Sequence, residues 1–298
     1  MEERKIYLLI GIDFDSVAGW VGSYGGQDSV GDIQQGIFAA EVGVKRLLNL
    51  LKKLELKATW FCPGHSIESF PEQIEDIVSA GFEIGAHGYS HENPVKLTLE
   101  QEKNIFEKSI NLIREATGRK PTGFVAPYWE TTHRTSKILL ENGFRYDHSQ
   151  FHRDFDPYYM RVGEEWNKVD YAKDSSDWMK PLTKGTSVDI VEIPANWYLD
   201  DITPMMYMKN IANTMGFIPV SDVMNMWLDQ FQWLEENSTS EVSVFPITLH
   251  PDASGRSHVL SHLEKMLLKI TSYQLVENVD FQSFSEIYRK KFPYTRNL

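Results

Sequence analysis

Residues 6–15 read Ile-Tyr-Leu-Leu-Ile-Gly-Ile-Asp-Phe-Asp, an apolar run that ends in two carboxylates. The apolar part is typical of a buried strand. A second short apolar segment, Phe82–Ala86, is followed by His87-Gly-Tyr-Ser-His91. Two carboxylates and two imidazoles therefore come just after predicted strands. These side chains are the usual ligands of a divalent metal, with one carboxylate to spare, and they indicate metal-assisted hydrolysis.

Strand-like and helix-like segments alternate along the rest of the chain. The predicted strands are Ile6–Ile12, Leu56–Cys62, Phe82–Ala86, Gly123–Ala126, Phe144–Ser149, Asp189–Ile193, Val242–Leu249 and Gln274–Glu277. The predicted helices are Glu41–Leu54, Pro71–Ala80, Thr98–Thr117, Thr132–Glu141, Asp222–Glu236, Ser257–Ile270 and Ser283–Lys290. Repeated β-α units predict a parallel sheet, and this many of them predict closure into a (β/α) barrel of the α/β class. No linker or repeat interrupts residues 1–298, so we expect a single domain.

Two segments break the alternation and are predicted to be long loops. Ser16–Gly36 carries six glycines, and Phe151–Gly185 is polar and aromatic. Loops that follow barrel strands border the active site, and long ones are usually functional. Because the first segment directly follows the acidic pair, we expect it to act as a lid or a subunit contact.

Composition narrows the class of protein. The chain has 298 residues, of which 42% are hydrophobic, so it can bury a large core, and no stretch approaches the ~20 apolar residues of a membrane span. The net charge of −12 argues against a nucleic-acid partner. A single cysteine excludes an intrachain disulfide and a cysteine metal cluster. The apolar run before the acidic pair is too short for a signal peptide, so we expect a cytoplasmic protein with no membrane partner.

The acidic pair has an electrostatic interpretation. Alternate residues of a strand share a face, so Asp13 and Asp15 can aim the same way. Two such close carboxylates raise each other's pKa unless a cation neutralises one. A metal on Asp15 leaves Asp13 free as a general base. A second pair of histidines, His258 and His262, lies inside an amphipathic helical pattern, and we interpret it as an ordinary helix face.

Two further residues follow predicted strands. His250 ends the strand Val242–Leu249, where an imidazole can donate a proton to a leaving amine. The strand at Gly123 turns sharply at Pro127, and the backbone N–H of Tyr128 can then stabilise an oxyanion.

Together these motifs resemble the NodB-homology polysaccharide deacetylases, carbohydrate esterase family 4. The family's Thr-Phe-Asp-Asp, His-Ser/Thr-x-x-His, Arg-x-Pro-Tyr, tryptophan and Leu-His motifs correspond, in order, to Ile12–Asp15, His87–His91, Val125–Tyr128, Pro194–Asp201 and Leu249–His250. The matched region runs from residue 6 to about residue 277, nearly the whole chain, and the order of the motifs is specific.

Two departures from the family pattern matter. Val125 replaces the arginine that pairs with the catalytic aspartate, and one extra residue separates the two carboxylates. Both features resemble the subgroup of the Helicobacter-type peptidoglycan deacetylase, which is also similar to cyclic imide hydrolases and allantoinases. Without the arginine, the pKa of Asp13 should depend more on the metal and on burial.

The resemblance implies a distorted barrel that hydrolyses non-peptide C–N bonds. It implies a divalent metal, expected to be Zn²⁺, on Asp15, His87 and His91. Asp13 is the expected base, His250 the expected acid and the Tyr128 N–H an oxyanion donor. The substrate is expected to contact Pro127, Trp129 and Trp197.

The sequence leaves the substrate open. The first reading is a deacetylase of peptidoglycan-type N-acetylglucosamine. The alternative is a cytoplasmic amidohydrolase that acts on small cyclic imides or allantoin-like amides, which fits the missing signal peptide. A third reading, a carbohydrate-binding barrel without activity, is supported by Val125 alone and opposed by the intact set of aspartates and histidines. Aromatic residues in the irregular segments predict a homo-oligomer.

Overall fold

The computed structural model describes residues 4–25, 28–208 and 218–295. Within them the strands are β1 (Lys5–Asp13), β2 (Thr59–Cys62), β3 (Glu83–Ala86), β4 (Gly123–Phe124), β5 (Tyr146–Asp147), β6 (Tyr158–Val162), β7 (Thr186–Glu192), β8 (Val242–Leu249) and β9 (Val276–Asn278). They form one curled sheet in the order β6-β7-β5-β4-β3-β2-β1-β8, and β9 also pairs with β1. The predicted distorted barrel is confirmed.

The helices are α1 (Ser16–Trp20), α2 (Val30–Phe38), α3 (Lys45–Lys53), α4 (Gly64–Ser69), α5 (Pro71–Ser79), α6 (Leu99–Thr117), α7 (Thr135–Asn142), α8 (Ile202–Met205), α9 (Val220–Asn237), α10 (Ser257–Thr271) and α11 (Phe281–Lys291). A π-helical stretch, Ala39–Val44, joins α2 to α3. In the described part of the chain, no helix combines the length and the apolar character needed to cross a membrane.

Strand β1 is the centre of the sheet. It pairs in parallel with β8 along Lys5–Ile12, with β9 at Ile6–Leu8 and with β2 at Gly11–Asp13. Every residue of β1 after Lys5 is buried. A strand covered on both faces reads as a continuous apolar run, which explains why this segment is so clear in the sequence.

The sheet closes loosely between its two ends. Asp200, in the chain after β7, forms an isolated parallel bridge with Thr248 at the end of β8. The N–H of Val244 donates to the carbonyl of Phe155, just before β6, at 2.8 Å. This seam brings the chain that follows β7 to the carboxyl end of β8.

The prediction of a loop at Ser16–Gly36 is wrong, because the segment contains α1 and the first part of α2. Its glycines permit close packing. A Cβ on Gly36 would lie 2.6 Å from the Val17 backbone, and one on Gly19 would lie 2.5 Å from the Tyr24 ring. The sequence pattern was ambiguous because glycine is equally common where two helices touch and where a chain turns.

The prediction of a loop at Phe151–Gly185 is also wrong in part, and so is that of a purely parallel sheet. Tyr158–Val162 forms β6, which pairs antiparallel with β7. Only Tyr158 and Met160 of this strand are buried. An edge strand with so short an apolar pattern gives little signal in the sequence.

Glu83 connects three elements at the amino end of the barrel. Its buried carboxylate accepts from the hydroxyls of Thr59 at 2.6 Å and Tyr146 at 2.7 Å, and from the Gln282 N–H at 3.0 Å. The N–H of Phe281 in turn donates to the Thr59 hydroxyl at 3.0 Å. The start of α11 is thereby tied across the bottom of the barrel. Burial raises the pKa of Glu83 to about 7, although its hydrogen bonds oppose the shift.

This pKa predicts a pH-dependent stability. A carboxyl whose pKa rises from 4.5 when unfolded to about 7 when folded favours the folded state fully below pH 4.5, and loses that contribution as the pH rises through 7. Glu83→Gln stays neutral, and the Tyr146 hydroxyl can accept a hydrogen bond from its amide. The wild type should lose stability as the pH rises and the variant should not. We therefore expect the difference in free energy of unfolding, variant minus wild type, to grow by up to roughly 3 kcal/mol between pH 4.5 and 7.5. Urea unfolding at several pH values measures the difference, and parallel pH profiles would contradict it.

Candidate metal centre and active site

The residues singled out in the sequence meet at the carboxyl ends of β1, β3 and β8. Most of them line a cavity of about 380 Å³, whereas Asp15 is fully buried and is not among the described residues that line it. Its lining consists of Asp13, Tyr24, His87, His91, Ala126, Tyr128, Trp129, Trp197, Asp200, Ile202, Thr203, Met208 and His250. This is the face of a parallel barrel at which ligand sites are usually found.

Asp15, His87 and His91 form a group able to hold a metal ion. All three are at most 5% exposed, and one ligand atom from each lies within 4.8 Å of the others. His87 Nε2 is 3.3 Å from Asp15 Oδ1, and His91 Nε2 is 3.2 Å from Asp15 Oδ2. His91 has a left-handed backbone, φ +55°, which turns the chain back toward Asp15 after β3.

The unpaired atoms in this group fit a cation. The carbonyl of Val125 accepts a hydrogen bond from His87 Nδ1–H at 2.7 Å, which leaves a lone pair on His87 Nε2. Among the described residues, neither His87 Nε2 nor Asp15 Oδ1 has a hydrogen-bond partner. Two buried lone-pair atoms that face each other without a proton between them are unfavourable unless a positive charge lies there. Oxygen and imidazole ligands with fixed outer hydrogen bonds are typical of zinc sites.

In the absence of a metal, burial and the charges of neighbouring residues set the pKa values of these groups. Burial opposes ionisation of Asp15, but His91 and His87 outweigh it and lower its pKa. Burial likewise opposes a charge on His87, but Asp13 and Asp15 outweigh it and raise its pKa to about 9. For His91 burial prevails and lowers the pKa to about 4, despite the neighbouring Asp15. The buried carboxylates therefore attract one positive charge, whether a proton or a metal.

Asp13 is the spare carboxylate of the site. Its Oδ2 atom lies 3.8 Å from both His87 Nε2 and His250 Nε2. Burial raises its pKa to about 6, while the two histidines pull it down. Val125 is fully buried in a hydrophobic cluster and its carbonyl holds His87. Without a metal, His87 and His250 are therefore the groups that favour the ionised form of Asp13.

His250 is oriented by Asp201, which sequence reasoning did not assign a role. The Asp201 carboxylate accepts from His250 Nδ1 at 2.7 Å, from the His250 N–H at 2.9 Å and from the Ser254 hydroxyl. These bonds leave His250 Nε2 facing Asp13 and Asp15. Burial lowers the pKa of His250, but Asp201 outweighs it and holds the pKa well above its usual value.

Asp200, Asp201 and His250 also form a compact group, within 4.8 Å of one another. Asp201 is already saturated by three donors, and Asp200 Oδ1 caps α8 by accepting from the N–H of Ile202 at 2.9 Å. Asp201 is therefore the hydrogen-bonded support of His250, whereas Asp200 Oδ2 lies 3.9 Å from His250 Nδ1. The second histidine pair, His258 and His262, lies in α10 as predicted, with His258 exposed.

The turn at Pro127–Trp129 forms one wall of the cavity. Tyr128 and Trp129 both have positive φ angles, +59° and +52°, which is strained for such large side chains. Trp129 packs edge-to-face on Trp197, with ring centroids 4.6 Å apart. Trp129 is 6% exposed and Trp197 46%, so the two rings extend from the cavity to its rim. Pro127 is buried in the turn and is not among the described residues that line the cavity.

The sequence also gave no role to Ser23 and Tyr24, between α1 and α2. The Tyr24 hydroxyl donates to Asp15 Oδ2. Ser23 Oγ lies 2.7 Å from His91 Nδ1 and 2.5 Å from the Tyr128 hydroxyl. The only signal for them in the sequence was a glycine-rich segment next to the acidic pair. This signal does not indicate which side chains point toward the site, because that depends on packing.

Comparisons with known proteins agree with this geometry. Residues 36–146 match the family model described as polysaccharide deacetylase. The chain is 51% identical to the peptidoglycan deacetylase of Helicobacter pylori over 290 residues, which is 97% of this chain and 98% of that protein.

Solved structures show the same fold. One named as a polysaccharide deacetylase of Mycobacterium smegmatis superposes with a TM-score of 0.82 at 25% identity, covering 99% of this chain and 94% of that one. The PuuE allantoinase superposes with a TM-score of 0.77 at 20% identity, covering 97% and 92% of the two chains, a likeness of fold alone. The chain therefore belongs to the polysaccharide deacetylase family, whose members hydrolyse the amide C–N bonds of acetylated polysaccharides.

Proposed function

We propose that this protein removes the acetyl group from N-acetylglucosamine residues of peptidoglycan, with Zn²⁺ held by Asp15, His87 and His91. The observation that carries the proposal is the buried group of these three residues with Asp13 and His250 beside it. When bound, the ion would supply a Lewis acid next to the acetamide carbonyl and the attacking water. A carboxylate and two imidazoles leave room for such ligands.

The chain's own residues account for the proton transfers. Asp13, with its pKa raised to about 6, takes a proton from the attacking water. His250 is held in one tautomer by Asp201, and its Nε2 atom gives a proton to the departing amine. The Tyr128 N–H, in the strained turn at the cavity wall, stabilises the oxyanion.

The substrate class rests on the cavity and on the relative. A volume of about 380 Å³ suits one sugar residue with its acetamide group. Trp129 and the half-exposed Trp197 offer ring faces to a sugar at the rim. The Helicobacter pylori protein, 51% identical over nearly its whole length, is named a peptidoglycan deacetylase.

A second candidate is a small-molecule amidohydrolase that opens cyclic imides or allantoin-like rings. The likeness of fold to an allantoinase and the modest size of the cavity favour it. The same metal, base and acid would serve this reaction.

The assigned roles predict distinct variants. Asp13→Asn and His250→Ala should each lower kcat by about 10²–10⁴-fold and leave metal content near that of the wild type, because these groups move protons. His87→Ala should lower both activity and metal content. Kinetics and elemental analysis of the same preparations measure the two effects. If Asp13→Asn lost the metal and His87→Ala kept it, the assignment of ligands would be wrong.

The two substrate classes can be separated directly. The zinc-loaded enzyme should release acetate from N-acetylglucosamine oligomers or peptidoglycan, and should leave succinimide, hydantoin and allantoin unchanged. Trp197→Ala should raise KM for the sugar oligomers about tenfold and change kcat little, because its ring lies at the rim. Ring opening without acetate release would establish the second candidate instead.

We also propose that the protein is a homo-oligomer. Large hydrophobic side chains are exposed between β6 and β7, with Trp166 62% exposed, Tyr171 78% and Met179 61%. Such a concentration of exposed apolar surface is typical of an interface. Sedimentation equilibrium should give a mass of two or more chains of 34.4 kDa each. A monomer at micromolar concentration would contradict the proposal.

A further inference from the structure

The end of α1 and the segment that follows it contact three separate parts of the active site. Trp20 Nε1 donates to Asp252 Oδ1, two residues after His250, at 2.7 Å. Ser23 contacts His91, and Tyr24 contacts Asp15. This segment was expected to act as a lid or a subunit contact, and its side chains contact the proposed metal ligands Asp15 and His91.

The hydrogen bond from Tyr24 makes the two carboxylate oxygens of Asp15 different. Its hydroxyl donates to Oδ2, whereas Oδ1 has no hydrogen-bond partner among the described residues. An oxygen that accepts a hydrogen bond is a poorer metal ligand than one that does not. Oδ1, 3.3 Å from His87 Nε2, is thus the oxygen left for an ion.

The position of Tyr24 is fixed by packing. Its side chain is 3% exposed, and its ring lies edge-on to Trp20 and His91, with centroid distances of 5.4 Å to each. Gly19 leaves the space that the ring occupies. The hydroxyl is therefore held at Asp15 by the surrounding rings as well as by its hydrogen bond.

Ser23 shares a hydrogen bond with the imidazole of His91. The Tyr128 hydroxyl donates to the Ser23 carbonyl at 2.6 Å, so the Ser23 hydroxyl supplies the proton of its 2.5 Å contact with the Tyr128 oxygen. Ser23 Oγ is then an acceptor toward His91 Nδ1, 2.7 Å away. With the proton on Nδ1, the lone pair of His91 is on Nε2, on the side of Asp15.

We propose that Ser23 and Tyr24 are positioning residues of the metal centre, Tyr24 by limiting Asp15 to a single ligand oxygen and Ser23 by presenting the Nε2 lone pair of His91. This inference rests on the proposed metal site. Groups that hold metal ligands from behind typically change metal affinity by about 10–100-fold when removed.

The test measures metal affinity without catalysis. Purified apoprotein is titrated with Zn²⁺ against a chromophoric chelator, and Kd is compared between the wild type, Tyr24→Phe and Ser23→Ala. We expect each variant to raise Kd by about 10–100-fold. Ser23→Thr keeps the hydroxyl at a position that is only partly buried, and should restore affinity to within a few-fold of the wild type.

Tyr146→Phe is the matched control. It also removes a hydroxyl that donates to a buried carboxylate, that of Glu83 at 2.7 Å, but at the opposite end of the barrel. It should lower the melting temperature of the apoprotein and leave Kd for Zn²⁺ unchanged.

The possible results distinguish the absence of a metal site from the absence of a positioning role. A wild-type protein that binds no divalent metal would refute the proposed function and this inference with it. If the wild type binds Zn²⁺ and Tyr24→Phe binds equally well, only the positioning role is refuted. Equal weakening by Tyr24→Phe and Tyr146→Phe would also refute it, because the effect would then follow general destabilisation.

Discussion

The structure depends on the balance of charge among buried aspartates and histidines at the end of β1. Asp15 is fully buried and Asp13 is 4% exposed, and neither could remain ionised there alone. His87, His91 and His250 reach them from the ends of two other strands. The site can therefore exist only when β1, β3 and β8 are in register. The same strand register is required by the fold and by the chemistry of the site.

A second layer of residues holds the groups of the site in place through hydrogen bonds. Val125 holds His87 through its carbonyl, and Asp201 holds His250 through its carboxylate. Beneath the Tyr128 turn, Ser149 accepts from the Ala126 N–H at 2.9 Å and donates to the buried Asp147 at 2.8 Å. Burial raises the pKa of Asp147 to about 7. His87, His250 and the Tyr128 turn are thus each held by a residue that does not line the cavity.

The sequence predicts the parts of this arrangement that are local in the chain. The run of β1, the pair His87 and His91, and the position of His250 after β8 follow from patterns a few residues long. Asp201 could not be assigned in that way, because its contact with His250 spans 49 residues and depends on the bridge to Thr248. Tyr24 and Ser23 lie in a segment whose glycines suggested a loop. Their inward orientation is set by the contact between α1 and α2, which leaves no periodic signal.

The seam that closes the barrel has a further consequence. Asp200 bridges to Thr248, and the next residue, Asp201, orients His250. Closure of the barrel and assembly of the proton donor are therefore one structural event, made by two adjacent residues. Because this seam consists of an isolated bridge and a few separate backbone hydrogen bonds rather than a full ladder, local opening there costs less free energy than global unfolding. Heat or denaturant can then inactivate the molecule while most of its secondary structure persists.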